Sequence, residues 1–507
     1  MRGITTIANI SAWLLVWGGL CSAADLSGNW MAAVSLDDGT THRTYFNLKQ
    51  DGSRISGWIR VRQFYYSIAE SSGGPGGFTI TGSMKDGNTD RTAVFEGRLQ
   101  GDELRIAERR PDGLQPELIA HRAPDGEGVM PARLPPPALH RVPDNGLART
   151  PPMGWNSWNK FAGRVNDEIV RGIAAAIASN GMKEAGYVYI NLDDTWEGER
   201  DSQGNIHPNN KFPDMKALAD YVHGKGLKIG IYSSPGPDTC AGYEGSYGHE
   251  AQDARTYAAW GIDYLKYDWC GARAIYSDSE MQAVYQIMGD ALLAAGRPIV
   301  FSLCQYGRAD VWKWGPQVGG NLWRTTGDIR DRWDSMERIG FGQNDLAQYS
   351  GPGHWNDPDM LEIGNGSMTG VEYRTHMTLW SMLAAPLIAG NDVRSMPASI
   401  LEILTNREVV AVDQDQAGHQ GRRVWKSGDR EIWVRDLSGG DRAVALFNRG
   451  ADTAVISLKW AELALSKPLT ARDLWTHSSL KLQGPEYALT VPAHGATLLR
   501  IQTGSSR

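Results

Sequence analysis

The sequence predicts a multidomain protein built on a (β/α)₈ TIM barrel, with an N-terminal all-β domain and a C-terminal antiparallel β-sandwich. The chain has 507 residues, which is too long for one ordinary domain. Between residues 150 and 418, short apolar runs alternate with amphipathic helical segments, as in a barrel of parallel strands. Residues 25–122 and 419–507 instead consist of strand-like runs separated by turns.

The first 24 residues have the pattern of a secretory signal peptide. Arg2 precedes the apolar stretch AWLLVWGGL, and the small residues at 22–24 provide a cleavage site. The apolar stretch is too short to span a bilayer, so we expect an exported protein, periplasmic or secreted, without stable membrane insertion after cleavage. Cys21 raises the alternative of a lipoprotein, although Leu20 fits a lipidation site poorly.

Charge and cysteine content disfavour several classes of function. The chain has 51 Lys and Arg against 58 Asp and Glu, a net charge of −7 that disfavours nucleic acid and anionic membranes as partners. Three cysteines remain after the leader, enough for one disulfide and one free thiol. The sequence has no CxxC or HExxH spacing and no phosphate-binding loop, so we expect neither a metal nor a cofactor. The oligomeric state stays open.

The N-terminal domain, residues 25–122, is predicted to be a small antiparallel β-barrel. Apolar and polar residues alternate in its strand-like runs, which are separated by turn dipeptides such as Asp51-Gly52. Its opening LSGNW resembles the Gly-x-Trp start of lipocalin-like barrels. Residues 123–149 are rich in Pro and Gly and are predicted to be a linker. The domain could bind polysaccharide, shape the mouth of an active site or simply pack on the central barrel.

The central domain contains eight candidate strands. They are MGWNSW, YVYINL, KIGIYS, DYLKYD, PIVFSL, NLWRTT, LAQYS and APLIAG. Intervening segments such as DEIVRGIAAAIASNGMKEAG have helix-period apolar faces and end near glycine. Eight strand–helix units predict a (β/α)₈ barrel. A doubly wound sheet is the alternative, but no GxGxxG follows the first strand and the units are too many.

Two carboxyl groups at predicted strand ends could carry the chemistry, because barrel enzymes place their active sites there. In DYLKYD, Lys266 and Asp268 point to the same side, and the ammonium group is expected to lower the pKa of Asp268 and suit it to be a nucleophile. Asp328 follows the strand that ends at Arg324. If Asp328 faces Asp268, its pKa is raised and it could act as a general acid, as retaining glycoside cleavage requires.

These charged residues also have structural interpretations. Lys266 and Asp268 could form an ion pair that closes the top of the barrel. Asp328 or Asp331 could cap a helix. For Asp357, in GHWNDPDM, we expect an Asx turn in a loop made rigid by proline.

Tryptophans near predicted strand ends suggest a carbohydrate substrate. Trp155, Trp196 and Trp355 could offer aromatic faces to a sugar, although tryptophans in a barrel wall commonly belong to the core. Carboxylates, neutral hydrogen-bonding groups and tryptophans together favour a sugar over a phosphorylated or metal-bound ligand.

Long motifs in a fixed order resemble glycoside hydrolase family 27. They are TPPMGWNSWNKF, NLDDTW, KIGIYSSPG, DYLKYDWC, FSLC, WRTTGDI, GPGHWNDPDM and VVAVDQDQAG. The best-known members of this family are α-galactosidases and α-N-acetylgalactosaminidases. The resemblance extends from residue 150 almost to the end of the chain and excludes residues 25–149. It implies an exo-acting, retaining α-galactosidase in which Asp268 is the nucleophile and Asp328 the general acid/base.

The resemblance also implies which residues bind the terminal sugar. They are Trp155, Asp193, Asp194, Tyr232, Lys266, Gln305, Arg324, Asp359 and Met360. The adjacent Asp193 and Asp194 would accept hydrogen bonds from two sugar hydroxyls, whereas a helix-capping pair is the alternative. One family disulfide would join Cys240 and Cys270. A second is missing, because Thr195 and Gly163 occupy its two positions.

Departures from the usual family motifs concern sugar specificity. Ser234 replaces an aspartate, Gln305 and Tyr306 replace Glu and Trp, and His354 replaces a glycine. In the family, the segment around Gln305 lies near the sugar 2-hydroxyl. Alternative specificities are therefore isomaltose release from dextran-type α-glucan, β-L-arabinopyranosidase and α-N-acetylgalactosaminidase. An alternative of another class is a non-catalytic carbohydrate-binding protein, against which the two carboxyl residues argue.

Overall fold

A computed structural model describes residues 25–74, 76–86, 89–463, 470–482 and 484–502. The predicted signal peptide lies outside these residues. The described chain forms an N-terminal antiparallel barrel, a central barrel of parallel strands and a C-terminal pair of antiparallel sheets, which confirms the predicted fold class. Over this part of the chain, the structure has no helix long and apolar enough to cross a membrane.

The N-terminal domain is a closed antiparallel barrel. Its strands are β1 (Gly28–Ser35), β2 (Thr41–Asp51), β3 (Arg54–Val61), β4 (Phe64–Gly74), β5 (Gly77–Asp86), β6 (Thr89–Gln100), β7 (Glu103–Arg110), β8 (Gly113–Leu114) and β9 (Leu118–Arg122). Consecutive strands pair from β1 to β7, and β9 joins β7 back to β1. This is the up-and-down order of lipocalin-like barrels. Trp30, Phe46, Ile59 and Leu104 fill the interior, so it is a packed core.

The proline-rich segment after this barrel packs against the central domain. Residues 123–152, all of them described, form neither helix nor strand. The Val142 N–H donates to the Gln317 carbonyl at 2.8 Å, and the Asn145 side chain donates to the Ile299 carbonyl at 3.0 Å. These bonds hold the segment along the outside of the central barrel.

The central barrel has eight parallel strands. They are β10 (Met153–Asn156), β11 (Tyr189–Asn191), β12 (Lys228–Ser233), β13 (Tyr264–Asp268), β14 (Val300–Cys304), β15 (Leu322–Arg324), β16 (Trp355–Asp357) and β17 (Leu387–Ala389). Neighbours in sequence pair from β10 to β16, and β17 pairs with β10. A parallel bridge between Leu361 and Ala389 joins the two remaining edges. The predicted barrel is thereby confirmed.

The predicted position of the seventh strand is wrong. LAQYS lies in a 3₁₀ helix, Asn344–Tyr349, and the strand is β16. Asn and Asp are depleted in strands, so the sequence of β16, Trp-Asn-Asp, does not predict a strand. Pairing with β15 nevertheless holds these residues in an extended conformation, and the Asn356 side chain donates to the Leu346 carbonyl at 2.9 Å. The 3₁₀ helix therefore packs beside the strand it was mistaken for.

The helices begin and end where local sequence signals favour it. They are α1 (Trp158–Phe161), α2 (Asp167–Ile177), α3 (Met182–Ala185), α4 (Met215–Gly224), α5 (Glu250–Trp260), α6 (Met281–Ala294), α7 (Trp333–Phe341), α8 (Gly370–Leu383), α9 (Ala398–Thr405) and α10 (Arg407–Asp413). Asn166 and Asp214 cap α2 and α4, and Thr369 forms a capping box with Glu372. Gly261 ends α5 in the left-handed region, at φ +86°.

The N-terminal end of the central barrel is closed by apolar side chains. They are Tyr189, Tyr264, Val300, Leu322, Trp355 and Ala384. Leu147 and Ala148 of the proline-rich segment pack against this cluster, and the Trp355 indole donates to the Ala148 carbonyl at 2.7 Å. Trp355 therefore lies at the end of the barrel opposite the predicted site.

The C-terminal domain is a β-sandwich. Its strands are β18 (Arg422–Ser427), β19 (Arg430–Asp436), β20 (Arg442–Asn448), β21 (Ala454–Lys459), β22 (Thr470–Asp473), β23 (Ser478–Lys481), β24 (Glu486–Val491) and β25 (Ala496–Ile501). Six strands form one sheet in the order β18-β19-β20-β25-β22-β23, and β21 pairs with β24. Ile456 and Leu458 of the small sheet pack with Val444 and Leu499 of the large one.

Candidate active site

Asp268 is the last residue of β13 and is buried, with 3% of its surface exposed. Its Oδ1 atom accepts hydrogen bonds from the Tyr306 hydroxyl and from the Trp269 N–H, both at 2.7 Å. Burial raises the pKa of Asp268 above its usual value, although the Lys266 charge and the Tyr306 hydrogen bond act in the opposite direction. The expected lowering by Lys266 is present, but burial outweighs it, because the sequence shows the neighbouring charge and not the depth of burial.

Lys266 makes its direct ion pair with Asp193 rather than with Asp268. Its Nζ atom lies 2.7 Å from Asp193 Oδ2 and 5.3 Å from the centre of the Tyr232 ring. Asn156 also donates to Asp193 Oδ2, at 2.8 Å. The ends of β10, β11, β12 and β13 thus meet through these side chains, which brings Lys266, Asp193 and Tyr232 together as the sequence predicts.

Asp194 is held on both carboxylate oxygens. Oδ1 accepts from the Thr195 N–H and Oδ2 from the Ala241 N–H, each at 2.7 Å. Burial raises the pKa of Asp194 to about 7. Asp193 and Asp194 follow β11 directly, and the next helix begins only at Met215 and has its own cap. The alternative of a helix-capping pair is therefore wrong.

Thr195 adopts a conformation that is unusual for a β-branched residue, with φ +85°. A Cβ atom placed on Gly163 would lie 3.7 Å from the Thr195 methyl group, so these positions are adjacent, as the missing disulfide implies. Lys211 bridges them: its Nζ atom donates to Thr195 Oγ1 at 2.9 Å and to the Gly163 carbonyl at 3.0 Å. Sequence reasoning did not identify Lys211, which is distant from both positions in sequence.

Arg324 links Asp328 and Asp359 at the end of β15. Its Nη2 atom lies 2.9 Å from Asp359 Oδ2 and 3.1 Å from Asp328 Oδ1. The Asp328 side chain is 68% exposed, unlike the buried Asp268. The charge of Asp328 also contributes to the raised pKa of Asp268, as expected of two carboxyl groups at one end of the barrel. The cap of α7 is Arg332, so Asp328 does not cap that helix.

The loop after β16 fixes Asp359 and Met360. The Asp359 N–H donates to Asp357 Oδ1 at 2.8 Å, which confirms the predicted Asx turn, and Asp359 has φ +91°. Asp359 accepts from the N–H groups of Met360 and Ile329, at 2.8 and 2.9 Å. Met360 is buried beside it. This turn directs the Asp359 carboxylate towards Arg324.

Gln305 and Tyr306 follow β14 and contact different parts of the site. The buried Gln305 side chain donates to the Arg324 carbonyl at 3.3 Å, while its Oε1 atom has no hydrogen-bond partner among the described residues. Tyr306 donates to Asp268, a contact that sequence reasoning missed because Tyr306 had been considered only as a change in specificity. Its place directly after a barrel strand was the available signal.

The disulfide implied by the resemblance is present. Cys240 and Cys270, 30 residues apart, join the loops after β12 and β13 with a Cα–Cα distance of 5.0 Å. The Tyr232 hydroxyl lies 2.9 Å from Cys240 Sγ, and the Ser234 hydroxyl binds the Cys270 carbonyl. Cys240, Asp268 and Cys270 bring possible metal-ligand atoms within 4.8 Å, but sulfurs joined in a disulfide are not thiolate ligands.

The tryptophans near the site belong to the barrel wall. The Trp155 indole donates to the Asn391 carbonyl at 2.8 Å, and the Trp196 indole donates to the Tyr232 carbonyl at 2.9 Å. Both side chains are completely buried. Each indole holds a backbone carbonyl of a neighbouring loop or strand, and neither tryptophan exposes an aromatic face.

A parallel eight-stranded barrel with two carboxyl residues at its C-terminal end is typical of glycoside hydrolases. A family model described as "Alpha galactosidase A" matches residues 150–415, and one described as "Alpha galactosidase C-terminal beta sandwich domain" matches residues 427–501. The chain belongs to glycoside hydrolase family 27, the α-galactosidase family.

Individual relatives agree with this assignment. The α-galactosidase of Cyamopsis tetragonoloba is 48% identical over 361 residues, which are 70% of this chain and 87% of that protein. The structure of α-galactosidase I from Mortierella vinacea has 37% identity and a TM-score of 0.69, and covers 72% of this chain and 100% of its own. A Bacteroides fragilis structure, provisionally assigned as an α-galactosidase/melibiase, has 32% identity and a TM-score of 0.68, and covers 94% of this chain and 92% of its own.

Proposed function

We propose that this α-galactosidase removes terminal α-linked galactose from oligo- or polysaccharides by double displacement, with Asp268 as nucleophile and Asp328 as general acid/base. The contrast between the two carboxyl groups carries the proposal. Asp268 is buried and oriented by two hydrogen bonds, whereas Asp328 is exposed and contacts Arg324 through its Oδ1 atom. Retaining hydrolysis needs one carboxylate that attacks and one that exchanges protons with leaving group and water.

In the first step, Asp268 attacks the anomeric carbon of the sugar. Among the described residues, the Trp269 and Tyr306 hydrogen bonds to this carboxylate both fall on Oδ1, and we assign the attack to Oδ2. As the Oδ2–carbon bond forms, the bond to the leaving oxygen breaks, and protonated Asp328 donates its proton to that oxygen. The Tyr306 hydrogen bond favours the ionised form of Asp268 and so maintains the nucleophile.

In the second step, water releases the sugar from Asp268. Asp328, now ionised, accepts a proton from a water molecule as that water attacks the anomeric carbon, and the Asp268 carboxylate leaves. The exposure of Asp328 gives water access to its carboxylate. Arg324 contacts the Asp328 carboxylate at 3.1 Å and can hold it in position for this step.

The remaining predicted residues would bind the sugar hydroxyls. Asp193 and Asp194 are fixed carboxylates that can accept sugar hydrogen bonds, and Lys266 can donate one. The Gln305 Oε1 atom, which has no hydrogen-bond partner in the described part of the chain, is suited to accept one from the 2-hydroxyl. Tyr232 lies beside Lys266, and Arg324, Asp359 and Met360 are joined at the loop after β16. These four residues and Trp155 complete the proposed sugar-binding set.

The proposed location is outside the cytoplasm, in the periplasm or beyond the cell. The leader pattern of the first 24 residues supports export. The Cys240–Cys270 disulfide also suits an oxidising compartment. Peptide sequencing of the mature N-terminus from fractionated cells tests this: a start at about residue 25 outside the cytoplasm is expected, whereas an uncleaved cytoplasmic chain contradicts it.

Initial rates on a panel of glycosides test the proposed substrate. We expect strong preference for an aryl α-galactoside over the corresponding α-N-acetylgalactosaminide, the β-L-arabinopyranoside and dextran. Preference for any of the other three would show that positions 234, 305 and 306 have changed the sugar specificity. Hydrolysis that disappears in Asp268→Ala would exclude the non-catalytic alternative.

A further inference from the structure

The N-terminal barrel reaches the central barrel through a buried aspartate. Asp38 lies in the turn between β1 and β2, with only 7% of its surface exposed. Its Oδ2 atom accepts from the Tyr243 hydroxyl at 2.6 Å and lies 3.5 Å from Lys211 Nζ. The Asp38 carbonyl accepts from the Asn210 N–H at 3.0 Å. One side chain from outside the catalytic domain thus contacts two of its loops.

The first of these loops holds one oxygen of Asp194. The Lys211 side chain, only 16% exposed, spans from Asp38 to the Thr195 hydroxyl and the Gly163 carbonyl. The Thr195 N–H in turn donates to Asp194 Oδ1. Because the φ angle of Thr195 is unfavourable, its surroundings must hold it in place. The Lys211 hydrogen bond supplies such a restraint.

The second loop holds the other oxygen of Asp194. Tyr243 and Thr239 close a turn, in which the Thr239 N–H donates to the Tyr243 carbonyl at 2.8 Å. Ala241, at the tip of that turn, donates to Asp194 Oδ2. Since the Tyr243 hydroxyl is bound to Asp38, both backbone donors to Asp194 are anchored to the same carboxylate.

We propose that Asp38 and Lys211 form a polar clamp that replaces the missing disulfide between positions 163 and 195 and positions Asp194 for the sugar. The N-terminal barrel then takes part in sugar binding without touching the sugar. The proposal rests on the proposed function in one respect, namely that Asp194 binds the terminal sugar. Asp38 and Lys211 are positioning residues in this account.

Docking of the two barrels does not depend on this clamp alone. Arg60 forms an ion pair with Asp238 at 2.6 Å, and the Gln63 side chain donates to the Cys240 carbonyl at 2.7 Å. These contacts join the two barrels through side chains other than Asp38 and Lys211, and they reach the same turn that contains Tyr243. Loss of the clamp should therefore loosen Asp194 while the N-terminal barrel remains in place. The positioning of Asp194 can thus be tested separately from the attachment of the N-terminal barrel.

The first test removes the clamp by Lys211→Met and, separately, by Asp38→Asn. We expect KM for the aryl α-galactoside and Ki for free galactose to rise about tenfold, because a charge-assisted restraint on a binding group is lost. We expect kcat to change less than about threefold. The control is Arg43→Met, which removes the exposed 3.4 Å ion pair with Glu199 in the same interface. It should leave both constants within about twofold.

The second test restores a covalent link. Gly163→Cys and Thr195→Cys are combined in the Lys211→Met protein, where a Cβ atom at position 163 would lie 3.7 Å from the Thr195 methyl group. The disulfide should return Ki for galactose to within about twofold of wild type, and dithiothreitol should abolish the rescue. Wild type treated with dithiothreitol controls for the Cys240–Cys270 bond. A merely structural role for Lys211 predicts no such recovery of Ki.

Amide hydrogen exchange gives a measurement that does not depend on activity. The Thr195 amide should exchange faster in Lys211→Met and Asp38→Asn than in wild type and Arg43→Met, and the Ala241 amide should exchange faster in Asp38→Asn. Unchanged exchange with unchanged Ki and KM would overturn the clamp. Absence of wild-type hydrolysis on every glycoside would instead refute the proposed function, and the exchange rates would still decide whether the clamp holds this loop.

Discussion

The two ends of the central barrel differ in chemistry although the same eight strands form both. The N-terminal end is closed by an apolar cluster around Trp355, with the proline-rich segment packed over it. The C-terminal end buries several carboxylates, and burial raises the pKa of Asp194 to about 7 and that of Asp357 to about 6. Burying carboxylates opposes folding, whereas burying apolar side chains favours it. One end therefore contributes stability, and the other sacrifices some of it for function.

Strand direction explains this division. All eight strands are parallel, so their first residues meet at one end and their last residues at the other. Strand β16 shows both ends within three residues. Trp355 lies in the apolar cluster, and Asp357, two residues later, supports the Asx turn beside Arg324. Position within a strand decides whether a side chain serves stability or chemistry.

The largest expected effect comes from the functional end. Asp268→Asn should lower kcat by roughly 10⁴-fold or more, because loss of a nucleophile removes the covalent step. Its melting temperature should equal or exceed that of wild type, since the replaced carboxylate is buried at a cost. Kinetics and thermal denaturation on the same preparation test both. A large loss of activity caused by unfolding would contradict the contrast between the ends.

The apolar end should respond in the opposite way. Trp355→Ala should lower the free energy of unfolding by about 3–5 kcal/mol, because it leaves a cavity in the apolar cluster. The kcat of the remaining folded enzyme should stay within about twofold of wild type. Denaturant titration with activity per folded molecule measures both quantities, and Trp355→Phe is the milder control. A kcat that falls in proportion to stability would show that the two ends are not separable.

A smaller effect is expected for the contact that sequence reasoning missed. Tyr306→Phe should lower kcat about tenfold. The Tyr306 hydrogen bond lowers the pKa of Asp268, so its removal should raise that pKa and move the acidic limb of the kcat/KM profile to higher pH. An acidic limb that stays in place or moves to lower pH would rule out a role for Tyr306 in keeping Asp268 ionised.

The smallest effect concerns stability and pH. The pKa of Asp194 is raised from 3.8 to about 7 on folding, so its protonated form contributes stability that is present below pH 3.8 and lost as the pH rises through 7. The melting temperature of wild type should fall between pH 5 and pH 8, and in Asp194→Asn this fall should be smaller by about 2–4 °C. Parallel declines in the two proteins would contradict the raised pKa.

Local sequence signals predicted much of the fold, but they could not predict contacts between residues that are distant in sequence. Helix caps such as Asn166 and the alternating runs of the N-terminal barrel can be recognised in short windows. The seventh strand could not, because pairing with β15 decides its conformation. The motifs that carry the resemblance supplied the candidate site residues. The direction of the Asp268 pKa shift, the Tyr306 contact and the bridge by Lys211 all depend on tertiary burial or on loops brought together in space.

Covalent trapping tests the central claim most directly. The enzyme is incubated with a fluorinated galactosyl fluoride, which slows the second step of a retaining mechanism more than the first. Mass spectrometry of the intact protein and of its peptides then locates the label. The account predicts one fluorosugar per chain, attached to Asp268. Attachment to another residue, or α-galactoside hydrolysis with inversion and no trapped sugar, would contradict it.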